Sequence, residues 1–128
     1  MMRILVRVLV GAVGVLGLLT AATFLLNTES GAASFGLRAL GPLGLASMRA
    51  DLFALFATVG VLSLAGAARD RADLLLAPLI LIGLALAGRT LSLVMTGPSP
   101  DLVPPMVAEA VLIAILVLGR RVLGRPQA

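Results

Sequence analysis

The sequence predicts an all-α protein: a four-transmembrane-helix bundle with both termini cytoplasmic. Three observations carry that expectation. The 128-residue chain is 60% hydrophobic and only 12% charged, with a mean hydropathy of +1.15. Soluble domains average about 25% charged residues, enough to cover a surface with polar groups. The apolar residues fall into four runs of roughly 16 to 22 residues, about 24–33 Å as helix, which matches one hydrocarbon core. The arginines gather at the ends of these runs rather than along one face.

The first run spans about residues 8–26 and follows Arg3 and Arg7. A cleaved signal peptide is its alternative reading, from the basic start and the "TAAT" that follows. A run of nearly 19 residues exceeds the roughly 7–15-residue core of such peptides, which favours a retained helix. The connection from Asn27 to Ala46 is rich in Gly, Ala and Ser. Its "FGLRALGPLGL" reads as a short interfacial helix stopped near Gly41-Pro42. The second run spans about 47–67, and "ARDRAD" after it is a tight charged hairpin. The third spans about 74–95 and ends at the Pro-rich turn "TGPSPDLVPP". The fourth spans about 104–119. Pro104 and Pro105 suit its first turn, where a missing N–H has no helical partner to lose. It is short, and borrows length from "RRVL" with its arginines snorkelling. All four belong to a single integral membrane domain over residues 1–128.

Composition also excludes chemistry. There is no His, Cys, Trp or Tyr, and all ten basic residues are Arg. Disulfides, thiol nucleophiles, His acid–base chemistry and most metal sites are thereby removed. No cofactor, no metal site and no catalytic residue are expected. The net charge of +4 does not point to nucleic acid, because the arginines stand singly or in pairs at segment ends.

Orientation follows from the arginines. With the N-terminus inside, Arg3, Arg7, Arg69, Arg71, Arg120, Arg121 and Arg125 are cytoplasmic, Arg38 and Arg49 are outside, and Arg89 is embedded. Seven against two argues for one fixed topology, both termini inside, and against a dual-topology antiparallel dimer. Small residues should mediate helix contacts: Gly11, Gly14, Gly17 and Ala21 in the first segment, Gly83 and Ala87 in the third.

The charges inside the runs are the candidate site. Arg89 stands six residues before Met95, roughly 9 Å below the outer end of its helix. Glu109 stands five residues after Pro104, roughly 7–8 Å in from the same side. Arg49 and Asp51 open the second run, again at the outer end. An Arg near a helix centre costs about 2.5–3.5 kcal/mol on insertion scales, which the eleven Leu and Ile of the third run outweigh. An embedded charge still seeks a partner. Arg89 and Glu109 are expected to pair through two parallel hydrogen bonds, since one short turn joins their helices. Ala85 and Ser92, four and three positions from Arg89, leave room beside it. On the second helix Asp51, Ala54 and Thr58 form a small polar stripe. Arg49 lies about 200° away, with Phe53, Phe56 and Gly60. Arg49 and Asp51 therefore cannot both point into one cavity. The candidate ligand-binding set is Arg89, Glu109, Asp51, Arg49, Thr58 and Ser92.

The stretch "RADLFALFATVGVLSL" and the segment from "ARDRADLLLAPLILIGLALAGRTLSLVMTGPSP" to "AILVL" carry a family resemblance. From about Ser47 to Leu118 the chain resembles the domain of unknown function 4345 family, small bacterial four-helix membrane proteins. The matching features are Arg49, Gly88-Arg89, Gly97-Pro98 and Glu109. The resemblance implies the fold and no activity. It also implies a bacterial origin, so the expected location is the bacterial cytoplasmic membrane.

Three functions compete at this level. One is binding of a lipid headgroup or small amphiphile at the outer-leaflet polar cluster. Another is an accessory subunit, held by a structural Arg–Glu clamp, that docks on a larger membrane complex or on copies of itself. The third is an isomerase-like enzyme using Glu109 or Asp51 as base, with a thin catalytic inventory.

Overall fold

The computed structural model describes residues 1–125, all of them in helices and the turns between them. Helix α1 is Met2–Leu26, α2 Thr28–Ser34, α3 Gly41–Arg69, α4 Leu76–Thr96 and α5 Val103–Val122. Short 3-10 turns at Ala72–Leu75 and Pro100–Leu102 lead into α4 and α5. Four of these helical stretches are long and apolar enough to cross a membrane, as in a multi-pass membrane protein.

The helices are longer than the apolar runs. α1 begins at Met2, because Arg3 and Arg7 are good helix formers and extend the apolar stretch without breaking it. α3 begins at Gly41 rather than near Ser47, which overturns the expected stop at Gly41-Pro42. Gly41 has φ 71°, so the chain bends there, and Pro42 sits in the first turn, where it starts helices well. The short helix of the connection is also misplaced in the sequence reading. It forms over "TESGAAS" and ends before Gly36 (φ 71°), not over "FGLRALGPLGL". α5 runs on to Val122, taking the length expected from "RRVL".

Helix association in lipid rests on close packing rather than on the hydrophobic effect, so small residues decide where backbones meet. α1 and α3 meet most closely. A Cβ on Gly17 would lie 2.8 Å from the Gly60 nitrogen, and one on Gly60 would lie 2.7 Å from the Leu18 nitrogen. Gly14 is equally tight, 2.7 Å from the Leu64 nitrogen. Gly14, Gly17 and Ala21 thus mark the α1 interface as the sequence indicates. Gly83 does not mark one: a Cβ there meets nothing within 4 Å. Below this crossing Phe24 stacks on Phe56, with ring centroids 5.5 Å apart, and Phe35 tilts against both.

The four long helices share a core at one end only. Val6, Val10 and Val13 of α1 pack with Val59 and Ala67 of α3, Ile82 of α4 and Leu116 of α5, together with Leu75 and Leu123. Asp70 lies at this end. Toward Gly97, at the other end, α4 and α5 lose their cover: no residue between Ile82 and Leu116 is buried. Arg89 and Glu109 lie in that stretch.

Candidate functional site

Arg89 and Glu109 face each other across the α4–α5 hairpin. Arg89 donates from Nε to Glu109 Oε1 at 2.5 Å. The side chains are 28% and 12% exposed. The pairing is as the sequence indicates, but not its form. The contact is single, through Nε alone, not two parallel bonds. Glu109 Oε2 is left buried with no hydrogen-bond partner. The two terminal amino groups of Arg89 likewise make no hydrogen bond among the described residues. A guanidinium carries five N–H donors and a carboxylate about four lone-pair positions, so most of the capacity of both groups is unused.

The rest of the expected cluster does not converge on this pair. Arg49 lies on the face of α3 that carries Phe56 and Gly60, the face against α1. Its Nε donates to Thr28 Oγ1 at 3.2 Å, tying the start of α3 to the start of α2. Thr28 is itself buried and donates to the Phe24 carbonyl. Asp51 points the other way and is exposed, with no ion-pair partner among the described residues. The roughly 200° between them is thus resolved with Arg49 packed and Asp51 free. Thr58 is exposed and bonds its own helix, at the Ala54 carbonyl, 2.7 Å. Ser92 is exposed three residues after Arg89, and its carbonyl accepts from Thr96 Oγ1. No ion pair or side-chain hydrogen bond joins Arg49, Asp51, Thr58 or Ser92 to Arg89 or Glu109 among the described residues.

A polar network at the opposite end escaped the sequence reading. Arg3 pairs with the Asp70 carboxylate and also reaches the Arg125 carbonyl. Asp70 Oδ1 accepts from the Gly124 backbone N–H at 3.2 Å. Arg7 donates to the carbonyls of Ala67 (2.8 Å) and Ala68 (3.1 Å), which the end of α3 leaves without helical partners. Arg120 donates to the Ala72 carbonyl at 3.1 Å. Arginines counted as topology signals therefore also cap the α3–α4 hairpin and join both ends of the chain to it. The available signal was Asp70 in "ARDRAD", a residue type that tolerates the left-handed conformation it adopts here at φ 54°.

Fold and site together define a four-helix multi-pass membrane protein with one embedded, half-satisfied ion pair. No family model, curated protein or solved structure matches the chain.

Proposed function

We propose that this protein binds the phosphate-bearing headgroup of a lipid or small amphiphile at Arg89–Glu109. The observation that carries this reading is the unused donor capacity of Arg89. Its two terminal amino groups make no hydrogen bond among the described residues, in a stretch of helix where no residue is fully buried. Donors at membrane depth are costly unless bonded, and a phosphate matches the guanidinium fork. Orientation belongs to the same proposal. The seven-to-two arginine bias supports both termini in the cytoplasm and the pair in the outer leaflet. The resemblance to the domain of unknown function 4345 family adds no activity to this reading.

A second reading has an observation of its own. Neither the cavity lined by Glu29 and Met48 nor the one lined by Ile4 and Leu64 includes Arg89 or Glu109. This favours a structural clamp in a subunit whose uncovered α4–α5 surface docks on another membrane protein.

A local probe separates them. The chain has no cysteine, so Ser92→Cys supplies a single thiol one turn from Arg89. Short-chain phosphatidylglycerol should slow maleimide labelling of that thiol, and Arg89→Gln should abolish the protection. Labelling that ignores the lipid would sink the binding reading.

A further inference from the structure

We propose a second ligand site, on other elements: the cavity between α2 and the start of α3 receives the headgroup of a zwitterionic phospholipid bearing a primary ammonium, such as phosphatidylethanolamine. The cavity has a volume of about 500 Å³, within the range of small-ligand pockets. Six of its eight lining residues are apolar, with Ala32 and Ala33 on α2 and Leu45 and Met48 on α3, while polar and apolar atoms share its surface about equally. Two charges of opposite sign also line it, Glu29 and Arg38. They are not an ion pair, and neither makes a side-chain hydrogen bond among the described residues.

Two unpaired opposite charges in one cavity fit a ligand that carries both. Arg38 would hold the phosphate through its planar fork, and Glu29 would accept from the ammonium. Two features place the ligand in the lipid phase rather than in bulk water. Leu40 and Leu43, which flank the cavity in sequence, are 88% and 80% exposed, as suits a segment lying against acyl chains. The apolar side chains of Leu37, Leu45 and Met48 offer cover to a glycerol backbone and the first methylenes. The wall formed by Leu37–Ala39 is positioned by the turn ending α2, where the Leu37 N–H bonds the Ala32 carbonyl at 2.8 Å. The charge spacing is therefore set by backbone geometry as well as by side-chain torsions.

The site shares no residue with Arg89–Glu109, so either reading can fail while the other stands. The experiment uses the full chain in detergent with Ala33→Cys, an exposed position on the cavity wall and again the only thiol. Maleimide labelling is followed against short-chain phosphatidylethanolamine, short-chain phosphatidylglycerol and chain-free glycerophosphoethanolamine. Phosphatidylethanolamine should protect the thiol at a concentration about tenfold lower than phosphatidylglycerol, the ratio expected for one good polar contact, and also at a lower concentration than the chain-free compound, which lacks the acyl chains. Glu29→Gln should erase the preference over phosphatidylglycerol, and Arg38→Gln should weaken protection by both lipids. Equal protection by the two lipids, or protection unchanged in either variant, would overturn the proposal. Protection by glycerophosphoethanolamine as strong as by the lipid would overturn its lipid assignment. Neither Glu29→Gln nor Arg38→Gln removes an ion pair or side-chain hydrogen bond among the described residues, so melting temperatures close to the parent's should accompany each binding result.

Discussion

Arg3 and Asp70, 67 positions apart in sequence, form an ion pair that joins the start of α1 to the hairpin between α3 and α4. Asp70 holds its place in two ways: its carboxylate accepts from Arg3 and Gly124, and its backbone ends α3 in the left-handed region. Asp70→Asn keeps a side-chain acceptor and tolerates the backbone, so it should lower the melting temperature least. Asp70→Gly keeps only the backbone freedom. Asp70→Ala loses both, adding roughly 1–2 kcal/mol of left-handed strain, and should be the least stable. Thermal unfolding in detergent gives the order. Equal melting temperatures for the Gly and Ala variants would show that backbone conformation matters little there.

The α1–α3 crossing makes a sharper contrast. Gly60→Ala places a methyl 2.7 Å from the Leu18 nitrogen and 2.9 Å from the Gly14 carbonyl oxygen, both backbone atoms that cannot step aside. Overpacking of this kind costs about 1–3 kcal/mol. Gly83→Ala enters open space and should change stability little. A Gly60→Ala protein as stable as the Gly83→Ala protein would mean that the two helices do not cross at these glycines.

Much of this fold was legible because membrane helices are announced by length and hydropathy, which need no knowledge of neighbours. Their ends were less so. Gly41–Ala46 reads as loop from its Gly and Pro, yet Pro42 in a first turn starts a helix as readily as Pro in an interior breaks one. The Arg89–Glu109 pairing was legible because depth and a short turn constrain both residues. The single-bond form was not, since side-chain torsions set whether the guanidinium and the carboxylate meet squarely enough for a second bond. Arg49 could be assigned a face from the helical period, but its partner Thr28 lies on a separate helix with no spacing to reveal it. Arg7 reads as a topology signal because one residue type serves both purposes. Its bonds to the Ala67 and Ala68 carbonyls follow from how α1 packs on α3.

Topology can be tested with the same cysteine-free background. A thiol at Ser99, in the α4–α5 turn, should react in intact cells with a membrane-impermeant maleimide. A thiol at Arg71, in the exposed hairpin, should react only after the cells are opened. The reverse pattern would invert the molecule and move Arg89 to the inner leaflet.

Arg89→Ala alone leaves the Glu109 carboxylate buried and unpaired. Breaking such a pair costs about 3–5 kcal/mol in soluble proteins, and less where a membrane offers other partners. The single variant should therefore unfold at a distinctly lower temperature whichever function is right, so it serves as a check on the ion pair itself. A melting temperature equal to the parent's would mean that the pair contributes nothing to the hairpin.

The most direct test of the central claim is the double variant Arg89→Leu/Glu109→Leu carrying the Ser92→Cys thiol. With no unpaired charge left, apolar replacement should restore most of the stability that Arg89→Ala loses. The measurement is protection of that thiol by short-chain phosphatidylglycerol, taken on protein whose melting temperature has been shown to match the parent's. A lipid-headgroup site predicts a folded protein in which the lipid no longer slows labelling. Undiminished protection would contradict it and leave Arg89 and Glu109 as a clamp between α4 and α5.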